Sequence, residues 1–478
     1  MLAENKVISI ITAFLLILSS QVLAGNLISD NNFSLDDDED EYEEIIIDNR
    51  EEDTGSPQGK EDNRSPFIIP VLQKFLYKSR FTFRHEFVSR IDRPDRIFIN
   101  RSSLRFQWED LLFSSYYLLF DGKLSYNFAY NYLDYPSDVE RYYRFQKQIH
   151  EFYLQKDFGK ASLKFGRQIL VWGEADIAVV TDVINPRDLT EFIFIPIEDA
   201  RIGLLMLTAD YYSENSHWTL FINPDPKVNR FARPGHEYEY PFIYSQPGIV
   251  QVRNENRPAI SLSNTEIGMR LAKTIEQSDI SIMAAYIIDD NPVFRTEWIN
   301  RQGELILQPE YRPYYMMGAA ANLSRGNFLW KGEAAIKINR TFTNSARFTD
   351  DGLIKRSSFD TVVGLDYDAS GAYAVTLEIS NQHILNWTED ISGIRRDESI
   401  LYLTWSKNLL NDILKPIYVY LYQIQDHEAL HRFRIEYQIT DQWSCIFETA
   451  YFNAWKEDSY LGYLQDQSRI SFEIRYNF

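Results

Sequence analysis

The densest clustering of chemistry-bearing side chains is the pentapeptide His427-Glu428-Ala429-Leu430-His431. On a helix, two histidines one turn apart grip a single zinc ion, and the adjacent glutamate serves as general base. The other five histidines, His85, His150, His217, His236 and His383, fall one to a segment. Cys445 is the only cysteine, which excludes an intramolecular disulfide and a cysteine-built metal site. Whether the pentapeptide can do metal chemistry therefore depends on its secondary structure.

The surrounding residues read as strand. HRFRIEYQI (431–439) alternates polar and apolar positions, as do RFTFRHEFVSR (80–90), SFDTVVGLDYD (358–368) and SRISFEIRYNF (468–478). Residues four apart on an extended strand lie about 13 Å apart at a rise of ~3.3 Å each. Zinc needs both nitrogens at about 2.0–2.1 Å, so His427 and His431 cannot share an ion. No serine–histidine or aspartate–histidine group gathers elsewhere, and the chain is read as a non-enzyme with no metal or cofactor.

The alternation extends over most of the chain after Phe67. Its polar face carries charges of both signs, and its apolar face is rich in the 31 Tyr and 31 Phe. A soluble sheet would bury such an aromatic face; a membrane barrel turns it to lipid and its polar face to water. No stretch after residue 24 approaches the apolar length a spanning helix needs. The expected fold is all-β: a transmembrane antiparallel β-barrel, most simply of eighteen strands. Segment 100–120 is too long for one plain strand, so sixteen remain open. Short links such as Asp121-Gly122-Lys123, 157–160 and Glu276-Gln277 alternate with long ones at 172–200, 224–263 and 289–312. The only long-side link that is tight is 426–428. The alternation places short turns and both termini in the periplasm and long loops outside.

The most distinctive connection is FGRQILVWGEADIAVVTDVINPRDLTEF, residues 165–192. Gly166-Arg167-Gln168 stands at a strand end. Trp172-Gly173-Glu174 is expected to close that strand, with Gly173 allowing a turn and Trp172 joining the interfacial aromatic girdle. Asp182 precedes Ile184-Asn185-Pro186-Arg187-Asp188-Leu189, which reads as a helix start: Asn185 as N-cap, Pro186 first, Asp188 near the positive end. A loop of this kind either folds inward and narrows a pore or caps the wall as a brace, and both readings stay open. The pattern GRQ-x3-WGE followed by D-x-INP-x-D-L resembles a family of proteobacterial outer-membrane barrels of unsettled function. It is more distantly similar to the alginate-export barrels. The resemblance implies a barrel of about this size that passes or exports an organic solute, a lipid or a polysaccharide. The long acidic tail departs from that pattern.

The alternation also names the bore. Arg80, Arg84, Glu86 and Arg90 on the first strand should meet Arg469, Glu473 and Arg475 on the last when the barrel closes. Arg432, Arg434 and Glu436 lie two strands further round. Unpaired, such cations would draw anions into a pore. The mixed signs favour pairing across strands.

The N-terminus completes the plan. Lys6, the apolar run Val7–Leu18 and Val22-Leu23-Ala24 read as a signal peptide over 1–24. Residues 25–66 hold fifteen acidic residues against Arg50, Lys60 and Arg64, the composition of a solvated, disordered periplasmic tail. The barrel is assigned to 67–478. Outside the tail the chain, −20 overall, is only mildly acidic, which disfavours nucleic acid. The expected site is the Gram-negative outer membrane, with lipid and lipopolysaccharide as surroundings and a periplasmic partner able to dock on the tail; oligomeric state stays open. Three functions fit: a loop-constricted channel or exporter, a plugged structural component of an envelope lipid or polymer machine, and, least of all, a barrel enzyme.

Overall fold

The computed structural model describes residues 78–478 apart from 114, 177, 240–249, 300–303, 348–349, 457–458 and 460. The signal peptide and the acidic tail lie outside the described residues. Period-two alternation becomes eighteen antiparallel strands in one closed sheet. In chain order the first six are β1 (Ser79–Arg90), β2 (Ile97–Leu112), β3 (Tyr116–Asn127), β4 (Phe145–Phe158), β5 (Ala161–Gln168) and β6 (Leu204–Ser213). The next six are β7 (Ser216–Asn223), β8 (Glu266–Ile275), β9 (Ser278–Ile288), β10 (Pro313–Arg325), β11 (Phe328–Thr343) and β12 (Leu353–Asp368). The last are β13 (Tyr373–Ile384), β14 (Asp397–Lys407), β15 (Leu414–Gln423), β16 (Glu428–Gln438), β17 (Trp443–Asn453) and β18 (Arg469–Asn477). Each pairs with its chain neighbours, and β18 closes on β1 with Thr82 opposite Asn477 and Arg90 opposite Arg469. Closure leaves no sheet edge, which a strand in hydrocarbon requires because nothing else there satisfies its backbone.

The two faces differ as the alternation demands. Phe165, Leu207, Ile282, Met317, Val363, Ile379 and Phe433 are exposed on the outside. Arg84, Arg105, Lys331, Glu333, Arg432 and Glu473 sit on the opposite face, toward the bore. Eight short links, among them 159–160, 214–215, 276–277 and 326–327, share one rim with Thr82 and Asn477. Gly159 and Gly326 have φ of +65° and +62°, the left-handed conformation that tight turns need. The long connections lie at the other rim, and 293–299, 305–310 and 250–252 form a small sheet of their own there.

Two boundaries differ from the sequence reading. Asp121-Gly122-Lys123 is not a turn; it lies inside β3, and the link is 113–115, entered through Phe113 at φ +51°. Asp121 looks like a turn residue but instead binds Arg105, its near neighbour on β2, at 2.6 Å. The segment 100–120 thus contains the β2–β3 link, so a turn and not a bulge explains its length. A bulge does occur one strand on: the β3–β4 register slips at Asp121/Gly122. That slip leaves Lys147 on the outer face, 5.4 Å from the Phe145 ring centroid, while Glu151 turns inward, although strict alternation would put both on one face. The tight outer link is 424–427.

Candidate functional site

The connection between β5 and β6, residues 169–203, turns into the barrel and is held to opposite walls. Against the β8–β13 wall, Glu333 of β11 accepts four hydrogen bonds from it. The donors are the Glu174 and Ala175 amides, both at 2.6 Å, the Thr181 amide at 3.0 Å and the Thr181 hydroxyl at 2.6 Å. A carboxylate gathering that many donors is a strong anchor, because each bond is charge-assisted. The Asp176 amide donates to Glu378 at 2.9 Å, and its carboxylate pairs with Lys331, which also meets Asp366 at 2.9 Å. Glu174 receives Arg270 at 3.2 Å and Asn322 at 3.1 Å.

Trp172 is wholly buried within this contact, edge-on to Phe221 of β7 with centroids 5.4 Å apart. Its place in the interfacial girdle is therefore corrected: β5 ends at Gln168, four residues earlier, and the indole packs inside the lumen. Gly173 serves close approach, not a left-handed turn. A Cβ there would lie 3.0 Å from Asp182 Cβ and 3.2 Å from the Glu333 carboxylate.

The motif segment 182–189 carries no helix. Asn185 is occupied on both sides, accepting from the Leu170 amide at 2.8 Å and donating to the Ile202 carbonyl at 2.9 Å. It cannot also cap. The Arg187 amide donates to Asn229 at 2.7 Å, and Asp188–Leu189 pair in parallel with Arg230–Phe231, so Pro186 opens a strand-like bridge. The short helix of this connection comes later, at Ile197–Ala200, where Pro196 precedes Glu198 and Asp199 in the same way. Asp182 ties the segment together, meeting Arg201 at 2.8 Å and Arg187 at 3.5 Å. Burial pulls the Arg187 guanidinium down to about 10 against the attraction of Asp182.

The far end of the connection meets the wall formed by β1–β4 and β16–β18. Asp199 lies 2.6 Å from Lys123, 3.2 Å from Arg105 and 3.4 Å from Arg84. Burial disfavours its charge, yet Lys123, Arg84 and His150 together hold the carboxyl well below the usual range. Glu191 pairs with Arg101, which also holds Glu86 at 2.5 Å. Phe192 and Phe194 pack on Phe452 of β17, and the Arg469 guanidinium lies 3.6 Å from the Phe194 ring centroid. The sequence reading did not single out Asp199 or Glu191. Their only local signal is that Asp199 closely follows Pro196 and Glu191 immediately precedes the aromatic Phe192.

The bore charges meet as like signs. At the seam Arg84 stands opposite Arg475, Glu86 opposite Glu473 and Arg90 opposite Arg469. Directly facing like charges destabilise a sheet. They are relieved diagonally and by loops: Glu473 lies 3.2 Å from Arg84 and 3.0 Å from Arg475, and Glu237 takes Arg90 at 2.5 Å. Arg432 meets Glu448 at 2.8 Å, Arg434 meets Glu436 at 2.7 Å, and Arg80 reaches Glu109 at 3.8 Å at the short-link rim. A chamber of about 180 Å³ remains on that side, bounded by Arg84, Arg105, Lys123, Arg434, Arg475 and Asp199.

The pentapeptide forms no metal site. His427 occupies the link before β16 at φ +56°, and its Nδ1 lies 2.8 Å from the Tyr422 hydroxyl. His431 faces outward to Tyr418, while Glu428 points inward and accepts the Leu461 amide at 3.0 Å.

A closed eighteen-stranded antiparallel barrel with an apolar outside, a charged bore and an inward-folded connection defines a membrane-spanning β-barrel. The chain belongs to the family DUF1302, described as proteins of unknown function, whose model matches residues 102–478. No curated protein matches it by sequence. Among solved structures it is similar to Acinetobacter baumannii OccAB3, at 10% identity and a TM-score of 0.48, covering 84% of this chain and 98% of that one. Pseudomonas aeruginosa OpdK, solved with vanillate, gives 8%, 0.47, 84% and 99% in the same order. Pseudomonas aeruginosa OccK2 (OpdF), in complex with glucuronate, gives 10%, 0.47, 84% and 97%.

Proposed function

We propose that this protein is an outer-membrane channel that passes an organic solute through a bore narrowed by residues 169–203. The observation that carries this reading is the double anchorage of that connection, at Glu333 on one wall and Asp199 on the other. A segment fixed to opposite walls divides the bore into polar side chambers, and selection then rests on size and on the charges it presents. Liposome swelling with solutes of graded size tests it. Swelling that falls steeply with size supports the reading; vesicles that never swell beyond protein-free controls contradict it.

The second reading is a plugged component of an envelope lipid or polymer machine. What favours it is the core-like packing of the same connection: Trp172, Phe192 and Thr181 are buried as completely as any core residue. The acidic segment 25–66 would then dock a periplasmic partner. Its removal should abolish function without preventing insertion, and a normal phenotype counts against it.

A further inference from the structure

The barrel wall is not paired to the same height all the way round. The ladder between β4 and β5 begins at Phe152 opposite Arg167, although β4 starts at Phe145. Among the described residues, Phe145–Glu151 pair with β3 alone. At ~3.3 Å per residue this opens a notch roughly 20 Å tall on the long-loop half of the wall.

The Gly166-Arg167-Gln168 motif stands at its foot, and each residue has a distinct part. Gly166 has φ +137°, and a Cβ there would overlap the Phe152 carbonyl and lie 2.7 Å from Tyr153 Cα. Only glycine lets β5 take this path beside β4 at the split. Gln168 donates to the Met206 carbonyl at 2.9 Å and accepts from the Thr208 hydroxyl at 2.9 Å, fastening β5 to β6. Glu151, turned inward by the bulge, accepts the Ile169 amide at 3.0 Å, where the chain leaves the wall.

Arg167 is the anomaly. Its cross-strand neighbours Phe152 and Leu205 are exposed apolar residues on the outer face. A guanidinium at a lipid-facing position is costly unless it finds a polar outlet. Its Nη1 turns to the Ile149 carbonyl, 3.5 Å away, and no carboxylate pairs with it among the described residues. A cavity of about 250 Å³ fills the notch and touches Gln148, His150, Arg167, Arg201 and Arg230. Its outer margin is apolar, with Phe145, Ile149, Val171 and Leu205 exposed. Its inner side is closed by the plug connection. Gly203 abuts the His150 carbonyl so closely that a Cβ would overlap it, and the Ile202 amide donates to Pro186 at 2.8 Å.

We propose that this notch is a lateral port that opens to the outer leaflet and is stopped on the bore side by residues 169–203, binding an amphiphile with one carboxylate head and a linear apolar chain. Arg167 holds the head, and the chain lies along Phe145, Ile149 and Leu205. Arg201 and Arg230 already carry Asp182 and Asp188, at 2.8 Å each, so Arg167 is the one guanidinium of the notch without a carboxylate among the described residues. Lys147, which also lines the cavity and lies 5.4 Å from the Phe145 ring centroid, adds a second cation that favours an anionic head. The guanidinium fork matches a carboxylate in two parallel hydrogen bonds. This inference rests on the membrane-barrel reading and not on conduction.

The test uses the full chain in lipid vesicles with a palmitate analogue carrying a diazirine in its chain, and crosslinks mapped by mass spectrometry. Labelling at Phe145, Ile149 and Leu205 is expected to exceed that at Leu377 and Ile379, lipid-facing residues on the opposite wall, by about tenfold. That is the preference one charge-assisted bond supplies. Arg167→Gln, or the methyl ester of the probe, should reduce it to the level of the opposite wall. Equal labelling of both walls in the unmodified protein overturns the port, and this outcome does not depend on any variant folding. An ester that labels as strongly as the free acid also overturns it. Conductance is read on the same vesicles, so failure of the channel reading appears there and leaves the labelling ratio intact.

Discussion

Asp199 and Lys123, 2.6 Å apart, join the connection that crosses the bore to the wall of β3. The same carboxylate faces Arg105 and Arg84 at 3.2 and 3.4 Å. The wall is thus basic where residues 169–203 are acidic, and each neutralises the other.

Asp199→Asn should take from Lys123 its carboxylate and weaken the hold on Arg84 and Arg105, which keep Glu473 at 3.2 Å and Asp121 at 2.6 Å. Removing one partner of a buried, hydrogen-bonded ion pair costs about 3–5 kcal/mol, so this end of the connection should loosen. Reversal potentials across a salt gradient should shift toward anion selectivity. An unchanged potential contradicts the assignment.

Glu333→Gln should free the other end. One amide oxygen cannot serve both donor groups, and its NH₂ would face either the Thr181 amide or the Glu174 and Ala175 amides, donor against donor. Leaving buried donors unmet costs about 1–3 kcal/mol each. Hydrogen exchange at Glu174, Ala175 and Thr181 should accelerate; if those amides stay as protected as before, the anchor is misassigned.

His236 supplies a pH dependence. Burial lowers its pKa to about 4, against the attraction of Glu191 and Glu237, with Arg101 opposing and Asp188 assisting. Unfolded, it takes up a proton near its ordinary value of ~6.5. The unfolded state therefore binds more protons between those values, and stability is lost as pH falls from about 6.5 toward 4. Residues 232–239, packed through the Tyr143 ring, should show faster exchange at pH 4.5 than at pH 7 once intrinsic rates are corrected. Equal protection at both would rule this out.

Gly166→Ala places a methyl against the Phe152 carbonyl at φ +137°. Such backbone strain costs of order 1–3 kcal/mol before the overlap is added. Refolding yield into detergent, read by heat-modifiable migration, should fall sharply; unaltered yield would mean that β5 does not need glycine there.

The barrel itself was legible because side-chain period and membrane thickness act on every strand alike. Ile470, Phe472 and Ile474 had to face lipid once Arg469, Glu473 and Arg475 faced water. The plug was harder to read because its fold is set by the wall it touches. Trp172 carries the residue type of an interfacial anchor, and only Phe221 and the buried carboxylate of Glu333 determine that it goes inside. Asn185-Pro186 satisfies every local rule for starting a helix, yet Leu170 and Ile202, remote in sequence, claim the Asn185 side chain. One register slip sends Lys147 and Glu151 to opposite faces, and slips leave no mark on alternation. The charged seam residues were visible by type. Their partners Asp199, Glu191 and Glu237 come from connections whose paths no periodicity encodes.

Single-channel conductance in planar bilayers tests the account most directly, comparing the full chain with the double variant Asp199→Asn/Glu333→Gln. The account expects small, steady steps from the unmodified protein and larger, flickering steps once residues 169–203 lose both anchors. Identical steps from the two proteins would contradict it.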